Sequence, residues 1–197
     1  MESPGLRDPN SADLSALSGV PTDGRCPAPA NFRAEVARFD REARVEIWDG
    51  PRSRMTYRTL GEGPPLVLVP GIATTYRVYA LLLNRLSERF RTVVYDYPGE
   101  RLDDRARLGR ISHDDLADDL LGLVDHLGHG PAYPVGLSFG STVVLNAATR
   151  APERWTRIAL QGGFARRRFS AAERIAFAVG RRVPGTLAAL PFRDAVL

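Results

Sequence analysis

The pattern of apolar and polar positions changes near residue 30. Before that point prolines are scattered among serine, aspartate and glycine, and the apolar residues follow no period. Such a stretch cannot bury enough apolar surface to offset the entropy lost on ordering. We therefore expect a disordered leader over residues 1–30 and a folded domain from residue 31 onward.

The folded part begins with residues typical of antiparallel strands. Alternation over Val36 to Trp48 and over Met55 to Leu60 predicts two half-buried strands, joined by a turn at Asp49-Gly50-Pro51. After them comes a continuous apolar run, Leu66 to Val69, bounded by proline and glycine, which is typical of a strand covered on both faces. Thr92 to Tyr95 predicts another buried strand, and further strands are predicted over Tyr133 to Val135 and Arg157 to Leu160.

Helical segments separate these predicted strands. An apolar stripe of Leu82, Leu83 and Leu86 predicts a helix over Tyr79 to Phe90. Ser112 is an N-cap for a second helix that ends at Gly128. Further helices are predicted over Ser141 to Thr149 and from a Ser170/Glu173 capping box toward Arg182. Two antiparallel strands followed by alternating strands and helices predict an α/β fold: a mainly parallel sheet with helices on both faces.

One motif lies at a predicted strand-to-helix junction. Gly136-Leu137-Ser138-Phe139-Gly140 has the form G-x-S-x-G. A nucleophilic serine there needs a tight, strained turn that raises its hydroxyl above the sheet, and small residues on either side let strand and helix approach. The alternative is a glycine-rich turn that only packs. The flanking strand and helix favour Ser138 as a nucleophile.

A second loop follows the strand that ends at Val69. It reads Pro70-Gly71-Ile72-Ala73, and in this topology it lies beside the serine turn. Its backbone can supply an N–H group from Ile72, with the Phe139 N–H as the second donor of an oxyanion hole.

Three segments taken in order resemble the α/β-hydrolase superfamily. They are Leu66 to Ile72, Val93 to Gly99 and Gly136 to Ser141. The resemblance implies Ser138 as the nucleophile, Ile72 and Phe139 as oxyanion donors through their N–H groups, and Gly136 and Gly140 as the elbow glycines. It further implies a structural turn at Asp96 and Gly99. It divides the chain into an N-terminal part of the hydrolase core over residues 31–163 and the start of cap or lid helices over residues 164–197.

The chain departs from the family pattern at three positions. Pro70 stands where the family usually has a non-catalytic histidine, and Ser141 replaces a frequent third glycine. Pro134 lies within a predicted central strand, where a missing N–H is costly. The pattern offers no account of Pro134.

The triad partners of Ser138 are not evident. The resemblance implies the order serine, acid, histidine, yet His113, His126 and His129 all precede Ser138, and Asp194 is the only aspartate after it. The predicted strands number about six of the fold's usual eight. We therefore expect a truncated chain that lacks the last strands and most of the cap, and that is inactive as a fragment.

Earlier residues offer weaker alternatives. His113 begins a helix at the functional end of the sheet, so it is a candidate base. His126 and His129 have a spacing that metal ligands use, but no third ligand lies near them in sequence. The aspartates between residues 103 and 119 are typical of a solvated acidic face. We predict no metal and no cofactor.

Composition and charge bear on nucleic-acid binding, membrane crossing and location. The net charge of +4 comes from 27 basic residues, all arginine, against 23 acidic ones, and the excess lies from Arg150 onward, where no aromatic residues interleave the arginines in a stacking pattern. This argues against nucleic-acid binding. No apolar run is long enough to cross a membrane, and the N-terminus has no apolar signal core. Cys26 is the only cysteine, so no internal disulfide is possible and the redox compartment is not decided by it. We take a cytoplasmic location as the default.

The sequence thus predicts a serine hydrolase that cleaves an ester, thioester or amide of a small-molecule acyl substrate through an acyl-enzyme. The main alternative is a non-catalytic α/β-hydrolase-fold binding protein. A nucleotide-binding doubly wound domain is disfavoured because no glycine-rich loop has the required spacing. Oligomeric state and substrate identity remain open.

Overall fold

The structure is a computed structural model. It describes residues 31–51, 54–72, 74–98, 111–128, 130–164, 170–171, 174–175 and 178. The predicted leader over residues 1–30 lies outside this part of the chain, as do Gly99, His129, Glu173, Asp194 and most of the predicted cap. Within the predicted cap, the Arg174 N–H donates to the Ser170 carbonyl at 3.0 Å, which is a helical hydrogen bond.

Strands and helices alternate along the described residues as the apolar pattern predicts. The strands are β1 (Arg44–Asp49), β2 (Arg54–Leu60), β3 (Pro65–Val69), β4 (Arg91–Tyr95), β5 (Tyr133–Leu137) and β6 (Ala159–Gln161). The helices are α1 (Phe32–Glu42), α2 (Ala80–Leu86), α3 (His113–Leu127) and α4 (Phe139–Arg150), and 3₁₀ turns span Tyr76–Tyr79 and Pro152–Arg154. No helix within these ranges has both the length and the apolar character that a bilayer crossing requires.

The strands form one sheet in the order β1-β2-β4-β3-β5-β6. β1 and β2 are antiparallel to each other, and β2 is antiparallel to β4, whereas β3, β4, β5 and β6 are mutually parallel. The predicted α/β class and mainly parallel sheet are confirmed. Because β3 and β5 are parallel neighbours, the loops after them meet at one edge of the sheet.

Two apolar clusters cover the sheet. One joins β2, β3 and β4 to α3 and α4 through buried residues such as Leu120, Leu123 and Val143. The other joins the sheet to α1 and α2 through Phe39 and Leu83. Burial on both faces explains why β3 is fully buried and reads as a continuous apolar run.

The prediction of a strand from Val36 was wrong over its first half. Residues 32–42 form α1, and only Arg44–Asp49 is extended. Asn31 caps the helix, because its side chain accepts from the Ala34 N–H at 3.2 Å. Val36 and Phe39 share one helical face and pack in the second cluster.

The second helix is shorter than predicted. α2 ends at Leu86 and not at Phe90, and a 3₁₀ turn over Tyr76–Tyr79 precedes it. Leu82, predicted on the apolar stripe, is 38% exposed, whereas Leu83 is buried. The buried polar residue Asn84 donates to the carbonyl and to the carboxylate of Glu35, at 3.0 and 2.7 Å, and so ties α2 to α1.

The prediction for α3 is confirmed at both ends. Ser112 and Asp115 form a reciprocal capping box, and Gly128 ends the helix in the left-handed conformation with a φ of 69°. Its first turn is acidic, and Leu120 and Leu123 are buried. The N-terminus of α3 is therefore fixed beside the loop edge of the sheet.

Pro134 is accommodated by an interruption in strand pairing. The N–H groups of Ala132 and Ser138 donate to carbonyls on the side of β5 that faces β6. Because alternate backbone nitrogens of a strand face the same neighbour, the Pro134 nitrogen faces β6 as well. The ladder with β6 begins only at Val135, after an isolated bridge between Ala132 and Trp155. The missing N–H thus faces a gap in the ladder.

Candidate active site

Ser138 occupies a strained bend between β5 and α4. Its backbone φ is 52° and ψ is −117°, and no other non-glycine residue in the described ranges has a positive φ. Such a conformation costs about 1–3 kcal/mol and persists only where surrounding contacts enforce it. Here the Ser138 N–H donates to the Gln161 carbonyl at 2.8 Å, and the Ser138 carbonyl accepts from the Ser141 N–H at 3.0 Å. The residue is exposed at the top of the sheet.

The two flanking glycines are sterically required. A Cβ atom at Gly136 would lie 2.6 Å from the Ser141 Cα, and one at Gly140 would lie 2.0 Å from the Val69 carbonyl oxygen. Both contacts are too close for any side chain, because the obstructing atoms are backbone. The spacing of the G-x-S-x-G motif therefore lets α4 pack against the ends of β3 and β5.

Ser141, the residue in place of a third glycine, is buried and has a specific role. Its one hydroxyl hydrogen is shared between the carbonyls of Gly136, at 2.7 Å, and of Gln161, at 3.1 Å. The first turn of α4 is thereby bonded to the ends of β5 and β6. A glycine could not make these bonds.

The loop after β3 lies against Ser138. Val69 is paired with Gly136 across the sheet, so the residues that follow both strands are neighbours. A Cβ built on Gly71 would stand 3.6 Å from the Ser138 Cβ. Ile72 is exposed next to this contact, and no acceptor in the described part of the chain takes its N–H.

A pocket of about 330 Å³ opens beside Ile72 and Phe139. Its wall is mainly apolar, with the polar groups of Ser112 and His113 on one side. Small-molecule sites commonly combine an apolar wall with a few polar groups. The complete lining comprises Ile72, Tyr97, Pro98, Ile111, Ser112, His113, Leu116 and Phe139. Ser138 is not among these residues, but the lining includes its chain neighbour Phe139 and also Ile72 of the loop that lies against Ser138.

Three hydroxyl groups that the sequence did not single out bind this loop. The Tyr79 hydroxyl accepts from the Gly71 N–H at 3.1 Å, and the Tyr97 hydroxyl donates to the Pro70 carbonyl at 3.0 Å. Thr74 donates its hydroxyl to the Gly71 carbonyl at 2.7 Å. A sequence signal exists only for Tyr97, which directly follows β4 and so reaches the loop edge of the sheet.

Both ring nitrogens of His113 are already engaged. Nδ1 lies 3.0 Å from the Asn146 amide nitrogen, and Nε2 lies 2.9 Å from the Thr142 hydroxyl. The Asn146 amide also donates to the carboxylate of Asp114, which can only accept, so its NH₂ group faces Nδ1. Nδ1 is thus the acceptor and Nε2 carries the proton. No lone pair is left on His113 for Ser138.

His126 lies at the other end of α3, in a cluster with Tyr57 and Trp48. Its Nε2 is 3.2 Å from the Tyr57 hydroxyl, and its ring stacks on Trp48 at 5.8 Å. Burial, together with a hydrogen bond to the Glu46 carboxylate, raises the pKa of Tyr57 to about 12. We interpret this cluster as structural. In the ranges described, no three His, Cys, Asp or Glu residues converge as metal ligands would.

Asp96, expected in a structural turn, forms an ion pair. Its carboxylate lies 3.2 Å from the Arg58 guanidinium, and both side chains are largely buried. Arg58 also stacks on the Tyr76 ring, at 3.7 Å from its centroid. The ion pair fixes the end of β4, from which Tyr97 reaches the pocket.

Comparison with known proteins identifies the family of the fold. The family model described as alpha/beta hydrolase fold matches residues 64–194. The chain is 35% identical over 102 residues to 2-(acetamidomethylene)succinate hydrolase of Mesorhizobium japonicum, covering 52% of this chain and 36% of that protein. It is also 35% identical over 150 residues to the dihydrolipoyllysine-residue acetyltransferase component of the acetoin cleaving system of Pseudomonas putida, covering 76% and 40%.

A solved structure of E-2-(acetamidomethylene)succinate hydrolase is similar in fold. It superposes with a TM-score of 0.58 and 28% identity over 71% of this chain and 51% of that one. The chain therefore spans about half the length, or less, of the relatives it matches. Sheet order, serine bend and family model agree, and the chain belongs to the α/β-hydrolase family.

Proposed function

We propose that this chain supplies the nucleophile, the oxyanion hole and part of the substrate pocket of a serine hydrolase. The observation that carries the proposal is the exposed Ser138 in its strained bend, beside the Gly71 loop and the pocket. Strain of this kind is costly and is concentrated at functional sites. A turn that only packed would not need an exposed hydroxyl.

In the proposed reaction the Ser138 Oγ attacks the carbonyl carbon of an ester, thioester or amide. Its proton passes to a general base, and the carbonyl electrons move onto oxygen. The N–H groups of Ile72 and Phe139 would stabilise that oxygen, since Phe139 begins α4 and its N–H belongs to the unpaired first turn. Collapse expels the leaving group, which takes the proton. Water then releases the acyl group, and the serine recovers its proton.

The base and its acid partner are not found near Ser138 in the described ranges. His113 and His126 are engaged in other contacts. We propose that a histidine and an acid from elsewhere in the full-length protein complete the site. The mainly apolar pocket wall favours a substrate whose group next to the reacting carbonyl is uncharged and apolar.

The test is covalent labelling of the full-length chain with a fluorophosphonate. We expect one adduct per chain, located on the peptide that contains Ser138 and lost in Ser138→Ala. Ser87→Ala is the matched control, because that hydroxyl bonds only locally to the Asn84 carbonyl at 2.8 Å. Labelling that persists in Ser138→Ala would refute the proposal.

The alternative is an α/β-hydrolase-fold binding protein without catalysis. The engagement of both His113 nitrogens away from Ser138 favours it, since no described residue activates the serine. It predicts that the full-length chain binds small apolar molecules in the pocket but does not react with the fluorophosphonate.

A further inference from the structure

We propose that Tyr79, Thr74 and Tyr97 are positioning residues that fix the oxyanion loop, and we call them the hydroxyl clamp. The inference rests on the proposed function, because it concerns how the Ile72 N–H is held for that reaction. It adds a role for three side chains that make no bond to Ser138 in the structure. The clamp acts on the two peptide units on either side of Gly71.

The direction of each hydrogen bond in the clamp is determined by its chemistry. The Gly71 N–H can only donate, so the Tyr79 oxygen accepts from it at 3.1 Å. The Gly71 carbonyl can only accept, so Thr74 uses its one hydroxyl hydrogen there, at 2.7 Å. The hydroxyls of Tyr79 and Thr74 are 2.9 Å apart, and Tyr79 must therefore be the donor between them. The bonds run from the Gly71 N–H through two hydroxyls back to the Gly71 carbonyl.

Tyr97 holds the other side of the first peptide unit. Its buried hydroxyl donates to the Pro70 carbonyl at 3.0 Å. The Pro70 carbonyl and the Gly71 N–H belong to one planar peptide unit, so Tyr97 and Tyr79 bind its two opposite poles. Rotation of that unit would break both bonds.

The second peptide unit carries the proposed oxyanion donor. It contains the Gly71 carbonyl and the Ile72 N–H, which point in opposite directions because the described peptide bonds are all trans. Thr74 binds the carbonyl, and this fixes the direction of the N–H. Since the Ile72 N–H has no acceptor in the described part of the chain, it is left for the substrate oxygen. The clamp thus prepares the donor before substrate binds, as electrostatic stabilisation requires.

The clamp also explains how the loop tolerates Pro70. Proline has no N–H group, and the loop needs none at that position, because its fixed groups are the Pro70 carbonyl and both polar groups of Gly71. The tyrosine hydroxyls come from the turn before α2 and from the end of β4. Two other parts of the chain therefore converge on this loop, and Thr74 acts from within it.

The test uses variants that remove single hydroxyl groups and keep the side-chain shape. In the full-length chain we expect Tyr79→Phe, Tyr97→Phe and Thr74→Val each to slow fluorophosphonate labelling of Ser138 about 10-fold. This is less than the loss on the order of 10²–10³ that follows removal of an oxyanion donor, because the donor is displaced and not removed. The loss is expected in the maximal labelling rate and not in the concentration for half-maximal rate. Thr74→Ser keeps the hydroxyl and should retain the wild-type rate.

Tyr133→Phe is the matched control. Tyr133 lies at the start of β5 and packs against Phe90, at 5.4 Å between ring centroids, so its hydroxyl is not part of the clamp. We expect a labelling rate within about twofold of wild type. If the wild type labels and the three clamp variants label equally fast, the inference is wrong while the proposed function stands.

Amide hydrogen exchange at Gly71 tests the clamp without any activity. The bond from the Gly71 N–H to Tyr79 should protect it, and Tyr79→Phe should speed its exchange at least 10-fold, with no such change in Tyr133→Phe. Failure of the wild type to label would refute the proposed function. Equal Gly71 exchange in wild type and Tyr79→Phe would refute the clamp by itself.

Discussion

Replacing Gly140 with alanine is the sharpest perturbation of the serine bend. The new Cβ would lie 2.0 Å from the Val69 carbonyl oxygen and 2.5 Å from that of Pro70. Both obstructing atoms are backbone, so no side-chain rotation relieves the contact. To reach an acceptable separation of about 3 Å, α4 and the end of β3 must move apart by about 1 Å.

The cost can be estimated from two opposing terms. Overpacking of this kind costs up to about 3 kcal/mol. Alanine in place of a helical glycine recovers up to about 1 kcal/mol. We therefore expect Gly140→Ala to lower the free energy of unfolding by about 2 kcal/mol, measured by urea denaturation of the full-length chain.

The same displacement should impair the site. It separates Ser138 from the Pro70 and Gly71 loop, and a misplacement of about 1 Å can cost on the order of 10²-fold in rate. We expect fluorophosphonate labelling of Gly140→Ala to fall by about that factor.

Gly130→Ala provides the control. Gly130 has a positive φ of 69°, and nothing lies within 4 Å of a Cβ built there. It should lose about 1 kcal/mol to backbone strain and label at the wild-type rate. If Gly140→Ala unfolded within about 0.5 kcal/mol of wild type and labelled equally fast, the steric reasoning would be refuted.

Three further predictions concern other parts of the molecule. His113→Gln should slow labelling of Ser138 by less than about 10-fold, because both ring nitrogens serve other contacts; a loss on the order of 10⁴ would identify His113 as the base. Tyr57 should ionise with a pKa of about 12, seen as a phenolate absorbance step that Tyr57→Phe removes. Because the pKa of Tyr57 is raised in the folded state, the protonated hydroxyl stabilises the fold below about pH 10, and this stabilisation is lost as the pH rises toward 12. A Tyr57 absorbance step near pH 10 would contradict the prediction. Asn84→Ala should lower the free energy of unfolding by about 2 kcal/mol and speed amide exchange in α1, because the buried amide ties α2 to that helix; unchanged exchange would refute this tie.

The parallel core could be predicted because its signals are local. Runs such as Leu66 to Val69 are apolar because both faces of the strand are covered, and the Ser112 cap is a short-range hydrogen-bonding pattern. The glycines of the serine bend were predictable for a similar reason. Gly136 must be small because the Ser141 backbone, five residues along the chain, lies against it, and Gly140 because the backbone at the end of β3 does.

The errors arose where long-range contacts decide the structure. The segment from Val36 to Glu42 was predicted as a strand because its alternation was given more weight than the local Asn31 cap. The buried Asn84, which ties the helix to α2, lies 49 residues from its partner Glu35 and has no local signal. Leu82 fits an apolar stripe by spacing, yet α2 presents Leu83 to the core.

Other features could not be read from sequence because they join distant segments. Pro134 is explained only by a gap in pairing with β6. The clamp joins Tyr79 and Tyr97 to a loop that lies 8 and 27 residues away in sequence. No local pattern carries such information.

The central claim is that Ser138 faces two backbone donors, and a crystal structure of the phosphonylated full-length protein tests it most directly. The account predicts phosphorus bonded to the Ser138 Oγ, with one phosphonyl oxygen about 2.7–3.1 Å from the nitrogens of both Ile72 and Phe139. A phosphonyl oxygen beyond hydrogen-bonding distance of the Ile72 nitrogen, or an adduct on another residue, would contradict it.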